Sequence, residues 1–321
     1  MRQLYAWTQE SLLLCALHFK CVDLCLVAAP VTSLNPETVI RVCIEAGVDY
    51  LDVQFSNAKI KILKSYANEI KNKELCFITE AGYHPGLPSA LIRYAASKLD
   101  SIESAITAGY LNMGGNLPFT EAVDELMEGF KEYQAQVFKN SAWTKPSSWD
   151  MRKIDFGNGI GKRICYSMFF EELRDLPKLY PSLTEIGFYI SGTNWFVDVI
   201  ITPLVMIGLN IAPKQSVRPL GKLTWWGMMS FSKPPYLVAL TVEAKGLKNG
   251  NPLQVRARCE HEDGYELTAI PVVAFLMQYE KICRPGLHMM GHLADPNQLF
   301  EDIQHMGARI TTSIQELGAT T

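Results

Sequence analysis

His84 is the side chain able to titrate near neutral pH in the turn Ala81-Gly82-Tyr83-His84-Pro85-Gly86-Leu87-Pro88, which follows the apolar run Leu75 to Thr79 and leads into a helix opening at Ser89. An imidazole in that place can donate or accept a proton near neutral pH, or it can simply bond a neighbouring carbonyl. Small residues and backbone amides at the carboxyl end of a strand let a ligand approach the chain closely, and ligands in open α/β sheets collect there. The plainer reading is an ordinary loop stiffened by Pro85 and Pro88.

Two other patterns suggest chemistry and do not hold up. Gly157-Asn158-Gly159-Ile160-Gly161 has the spacing G-x-G-x-G with no apolar strand before it, so it reads as a tight turn ahead of Arg163-Ile164-Cys165-Tyr166 and not as a pyrophosphate loop. His288 and His292 are four residues apart, but Pro285, Gly286 and Gly291 oppose a regular helix there and no nearby cysteine or acid completes a ligand set, so no metal site is expected.

The elements that must position these residues alternate. Leu24 to Ala29 is a compact apolar run. Asn35-Pro36-Glu37 then supplies a cap, a proline at the first helical position and an acid in the first turn, and Gly47 closes that helix. Val48 to Val53 reads as a strand, Ala58 to Lys73 as a helix, and Leu75 to Thr79 as a third strand, which argues for parallel strands joined by helical crossovers. After Asp100 the rhythm changes: Ser101 to Tyr110 alternates with period two and Thr120 to Phe138 reads as a helix. Pro234 to Lys245 and Leu253 to Cys259 form a hairpin across the connector Gly246 to Asn251, and Asp295-Pro296 opens a last capped helix. The expected class is α/β, an incomplete Rossmann-like parallel sheet over residues 1–99, with a second α+β domain over 100–283 and a C-terminal segment, 284–321, packing back on the first.

The balance of 30 basic and 33 acidic residues in 321, with both signs interspersed, gives no basic stripe, and nucleic acid is an unexpected partner. Eight cysteines without a C-x-x-C pair read as reduced thiols of a cytoplasmic protein, and Leu12 to Leu17 is too short for a span and lacks a cleavage site. Trp195 to Ala212 approaches the apolarity of a span but is interrupted by Asp198, Pro203 and Asn210. A buried or dimer-interface helix is therefore expected there, with a membrane-surface anchor as a weaker reading.

Val22 to Pro30, Ala46 to Val53 and Leu75 to Ser89 together resemble the later half of the nucleotide-binding domain of saccharopine dehydrogenase-like oxidoreductases. Gly291-His292-Leu293-Ala294-Asp295-Pro296 resembles that family's entry to its last helix, and Met151 to Phe170 and Gly192 to Phe196 resemble segments of its second domain. The resemblance implies hydride transfer between NADP or NAD and an amino-acid-like, carbonyl or imine substrate, with His84 as a proton donor or acceptor. It implies cofactor contacts from Ala29 and Pro30, from Asp52 in Tyr50-x-Asp52, and from Ala81, Gly82, Pro85 and Gly86. Asp52 would meet a ribose or a substrate amine, or merely cap the following segment. Arg152, Arg163 and Asn194 would reach a substrate carboxylate or polar group, or form surface ion pairs. A homodimer and a small-molecule substrate are the implied partners.

A full domain of this family carries three parallel strands before Leu24 and, after the first of them, the glycine-rich turn that cradles the pyrophosphate. The first twenty residues cannot hold these strands, so the sequence looks truncated and leaves one sheet edge to be covered, with Leu12 to Phe19 as a candidate cover. The alternative is a non-catalytic interaction or dimerisation module derived from the same family.

Overall fold

The computed structural model describes residues 22–31, 33–114, 117–131, 133, 135–146, 150–157, 159–213 and 215–317. The expected cover from Leu12 to Phe19 and Asn158 of the glycine run lie outside the described residues.

Sheet A is all parallel, in the order β1 (Leu24–Val27), β2 (Asp49–Asp52), β3 (Cys76–Thr79) and β12 (Gly286–Met289). Residues more than two hundred positions apart thus share one ladder, His288 standing opposite Ile78. Helix α1 (Pro36–Ala46) joins β1 to β2. The Asn35 side chain accepts from the amides of Glu37 and Thr38, and Gly47 takes the left-handed conformation at φ 72° that a capping glycine adopts without strain. The single helix expected from Ala58 to Lys73 is two, α2 (Asn57–Ser65) and α3 (Ala67–Asn72). The Ser65 hydroxyl donates back to the Ile62 carbonyl and the Tyr66 amide is shared between Ile62 and Leu63, which breaks the i to i−4 ladder.

Sheet B is mixed. Its long central strands β4 (Ser101–Asn112), β10 (Leu237–Lys248) and β11 (Asn251–His261) are antiparallel, with β13 (Arg309–Glu316) on the outer side of β11. On the other side β9 (Glu185–Ser191) runs parallel to β4. The far edge of β9 is divided between β5 (Val137–Lys139), which hairpins with β6 (Ala142–Thr144), and β8 (Lys162–Met168), which hairpins with β7 (Met151–Asp155). The β10–β11 hairpin turns through only Asn249 and Gly250, both at positive φ, as a type I′ turn requires. The expected six-residue connector is shorter because Gly246 lies inside β10, at a register shift where an added Cβ would stand 2.0 Å from the Ser101 carbonyl oxygen.

Helix α4 (Leu87–Ala96) lies between the sheets and is buried on nearly every side. Leu51 and Ile78 of sheet A, Leu87 and Leu91 of α4, Val238 and Leu240 of sheet B, Phe275 of α9 (Gly264–Ile282) and Phe300 of α11 (Pro296–His305) belong to one apolar core. Arg93 on α4 donates to the carbonyls of Gly291 and Ala294 in and after the short α10 (Met290–Leu293), each at 2.7 Å. The helix expected from Thr120 to Phe138 stops earlier: α5 spans Glu121–Lys131, and Phe138 pairs with Ile186 on the edge of β9. Ladder partners there override the helical pattern.

The apolar segment after Trp195 forms a π-helical turn (Val197–Ile201) and α7 (Thr202–Ile211), followed by α8 (Val217–Phe231), α6 being the short Leu176–Leu179. Val205 and Leu209 face a small core shared with α5, while Val199, Leu204, Ile207 and Ile211 are exposed, so this is not the buried helix its composition suggests. Among the described residues no helix is long and apolar enough to cross a membrane.

Candidate functional site

The carboxyl ends of β1, β2 and β3 are tied together by a buried polar cluster. Asp52 closes β2 with no solvent exposure, and its Oδ1 accepts from Lys59 Nζ and from the Gln54 amide, while its Oδ2 accepts from Thr79 Oγ1 of β3. Lys59, on the first turn of α2, is equally buried and also donates to the Gln54 carbonyl at 2.6 Å. The Gln54 side chain reaches the Ala29 carbonyl at 2.6 Å, which anchors the end of β1. Both Asp52 carboxylate oxygens are thus engaged within the protein, whereas Ala29 and Pro30 remain partly exposed.

Beyond β3 the chain turns sharply. Glu80 adopts φ 54°, Gly82 φ 142° and Gly86 φ 121°. Gly86 has to be glycine, because a Cβ there would lie 2.7 Å from the Glu80 carbonyl and from Gly82 N and O. Ala81, Gly82, Pro85 and Gly86 are all buried. The amides of Gly86 and Ser89, at the start of α4, point to a carboxylate of the chain itself: they donate to Glu172 Oε1 and Oε2 at 2.8 and 3.0 Å. Helix amino termini hold anions, and here Glu172 is the anion.

The Glu172 amide donates to Glu80 Oε2 at 3.1 Å, and Glu80 Oε1 is buried with no partner. Burial first, and the neighbouring Glu172 second, push Glu80 well above the ordinary carboxylate range. Burial also raises Glu172 to about 7, against the amide bonds that favour its charged form. Neighbouring carboxyls in such a site resist carrying two charges at once.

His84 stands in an aromatic box. Its ring lies 4.1 Å from Tyr83 and 6.2 Å from both Phe170 and Phe188, and Gly109 of β4 leaves room for it. The residue keeps a partly exposed edge, yet Nε2 is buried without a hydrogen-bond partner. Desolvation lowers its pKa to about 4, so the imidazole is neutral at physiological pH. A neutral ring with an unmet nitrogen suits it to hydrogen-bond a bound polar atom more than to store a proton.

Arg163 and Asn194 come together, but not with His84. Both line a cavity of about 640 Å³ with Tyr110, Asn112, Trp195 and Lys233. Gly109 faces His84, so its strand neighbour Tyr110 points to the opposite face of sheet B. The cavity therefore opens on the face away from the β3–α4 turn. Arg163 stacks over the Tyr110 ring at 5.6 Å, its Nε is buried without a partner, and the buried Asn112 Oδ1 also has none. Arg152 is not in that lining; it pairs with Glu185 and lies over the Tyr189 ring.

His288 and His292 bond different backbone carbonyls, those of Arg284 and Glu172. Lys59, Glu80 and Glu172 are the groups that sequence reasoning missed. Glu80, an acid between an apolar strand and a glycine turn, carried a readable signal. Glu172 carried none, since it lies 92 positions from the residue it meets.

A dinucleotide meets only part of what it needs here. The groups left open to a ligand are the partly exposed Ala29 and Pro30 after β1 and the unmet Nε2 of His84, while Ala81, Gly82, Pro85 and Gly86 are buried. Among the described residues, the link from β1 to α1 contains no glycine, and the α4 amides and Asp52 are already engaged. The pyrophosphate end thus has no cradle among the described residues.

No protein-family model matches the chain, and no curated protein matches it. Among solved structures, apo saccharopine dehydrogenase (L-Glu forming) from Saccharomyces cerevisiae superposes with a TM-score of 0.66 at 10% identity, covering 96% of this chain and 89% of that one. An engineered D-amino acid dehydrogenase bound to NADP+ gives 0.43 at 12% identity, covering 93% and 85%. GenD2 from gentamicin A biosynthesis, in complex with NAD, gives 0.35 at 10% identity, covering 99% and 83%. Only the first is close enough to bear on the fold. Its match agrees with the resemblance seen in residues 22–89: the chain has the α/β fold of a saccharopine dehydrogenase, a Rossmann-like parallel sheet joined to a second, mixed sheet.

Proposed function

We propose that the chain acts as a saccharopine dehydrogenase-like oxidoreductase, with NADP or NAD as cofactor and an amino-acid-like, carbonyl or imine substrate. The observation that carries this reading is the fold shared with a saccharopine dehydrogenase along 96% of the chain. When bound, the nicotinamide supplies or accepts the hydride. The chain's own part is to wall the reacting space with Tyr83, Phe170 and Phe188, which exclude water, and to offer the neutral His84 ring to a substrate oxygen or nitrogen. A second reading, an interaction module without catalysis, is favoured by one observation: Glu172 and Lys59 already satisfy the groups that would otherwise receive a cofactor.

His84→Ala tests the assignment. Loss of a positioned proton-handling or hydrogen-bonding group costs roughly 100-fold or more in turnover. Steady-state kinetics should show that fall in kcat while the Kd for NADPH, read by fluorescence, stays within a factor of about two. Unchanged turnover would remove His84 from the chemistry.

A further inference from the structure

The α7–α8 hairpin presents an unusual surface. Trp195 is 66% exposed, Val199 64%, Ile207 57%, Ile211 79% and Trp226 51%, with Leu204 also open. Contiguous exposed apolar side chains on this scale mark an interaction site. Through the π-helical turn and α7 they recur at Val199, Pro203, Ile207 and Ile211, one stripe of the helical surface, while Val205 and Leu209 face inward. Trp195, Phe196, Trp226 and Phe231 form a linked aromatic cluster, the Phe196 and Phe231 rings lying 4.5 Å apart.

Charge separates the candidate partners. From Gly192 to Tyr236 the sequence has Asp198 as its one acid, against Lys214, Arg218, Lys222 and Lys233. Asp198 is turned inward to accept from the Thr193 amide, and Arg218 is paired with Asp124 of α5. Lys222 and Lys233 are exposed, and neither makes an ion pair among the described residues. Lys222 sits one helical turn before the exposed Trp226. The aromatic cluster runs directly into the cavity of about 640 Å³, since Trp195 and Phe231 line both, and that cavity is also lined by Lys233 and by Arg163, whose buried Nε has no partner. A guanidinium with an unmet N–H and an ammonium beside an apolar face suit a phosphate that carries acyl chains. A second copy of this chain on a two-fold axis would bring basic residues against their own kind, which disfavours it.

We propose that the α7–α8 hairpin docks the protein on an anionic phospholipid surface. Its exposed tryptophan and aliphatic side chains enter the boundary between headgroups and acyl chains, and Arg163 with Lys233 receives a lipid phosphate in the adjoining cavity. The hairpin lies on the surface and does not cross it. This goes beyond the oxidoreductase reading and does not depend on it, because the cavity and the His84 turn are on opposite faces of sheet B.

The test is co-sedimentation of the full chain with vesicles of phosphatidylcholine alone and of phosphatidylcholine containing phosphatidic acid, with tryptophan fluorescence as a second readout. Binding to the anionic vesicles with a blue-shifted emission is expected, and little to the neutral ones. Ile207→Glu, at an exposed position whose folding circular dichroism would verify, should abolish sedimentation. Arg163→Gln combined with Lys233→Gln should weaken partition by about 30-fold, near fivefold for each basic residue. Inorganic phosphate at millimolar concentration should not compete if the acyl chains are needed; full competition would mean a free-anion site and overturn membrane docking. No sedimentation, or sedimentation untouched by either variant, would also overturn it. So would a concentration-dependent dimer, seen by light scattering, that Ile207→Glu disperses while vesicles never bind.

Discussion

Lys59→Met is expected to destabilise the protein by about 3–5 kcal/mol, because it strands the Asp52 carboxylate without its cation in a site with no solvent exposure. Asp52 would keep the Gln54 amide and the Thr79 hydroxyl, which cannot replace a charge. The cluster also knits the strand ends, since Lys59 bonds the Gln54 carbonyl and Gln54 bonds Ala29. The loss should therefore appear in global unfolding and not only as local fraying. Urea denaturation followed by circular dichroism measures it. The double variant Asp52→Leu with Lys59→Met should recover much of the stability, because a buried ion pair replaced as a unit costs little. A double variant as unstable as the single one would assign the loss to packing and not to the stranded charge.

Glu172 should withdraw stability as pH rises through its titration range. Its carboxyl titrates near the ordinary 4.5 when unfolded and at about 7 when folded. Below 4.5 both states hold the proton and the folded form keeps its full advantage. As pH rises towards 7 the unfolded chain releases the proton first, and the folded state loses about 3 kcal/mol, which stays lost above 7. Glu80, raised by the same burial, adds to the fall. His84 acts in the opposite sense, since its pKa is lowered from 6.5 to about 4 and stability drains away as pH falls through that window. The two trends overlap and partly cancel in the wild-type chain. His84→Phe keeps an aromatic ring in the box and removes one of them, so urea midpoints of that variant should drop steadily from pH 4.5 to 7. A flat profile in His84→Phe would mean that Glu172 titrates normally.

The parts of the fold written in short-range chemistry were readable in the sequence. Asn35-Pro36-Glu37 and Gly47 bound α1 as their types require, and Asp295-Pro296 caps α11. Where spacing had two meanings, tertiary contacts decided. Gly246 reads as a turn glycine but serves a close approach to Ser101, and Phe138 continues a helical pattern but pairs as a strand.

The candidate site divides in the same way. His84 and the glycine turn stand out by residue type. Lys59, adjacent to the apolar Ile60 on a helix, looks like a solvated lysine until Asp52 is placed against it. Arg163 and Asn194 could be singled out and do share one cavity. Their separation from His84 depends on which way Gly109 and Tyr110 face along β4, and that requires the register of the sheet.

Cofactor binding tests the oxidoreductase reading most directly. The purified 321-residue chain would be titrated with NADH and with NADPH, followed by nicotinamide fluorescence, with circular dichroism recorded on the same samples. Saturable binding by a folded chain, with a preference for one of the two dinucleotides, is the expected result. A folded chain that binds neither would contradict the oxidoreductase assignment for this chain and leave the interaction module as its function.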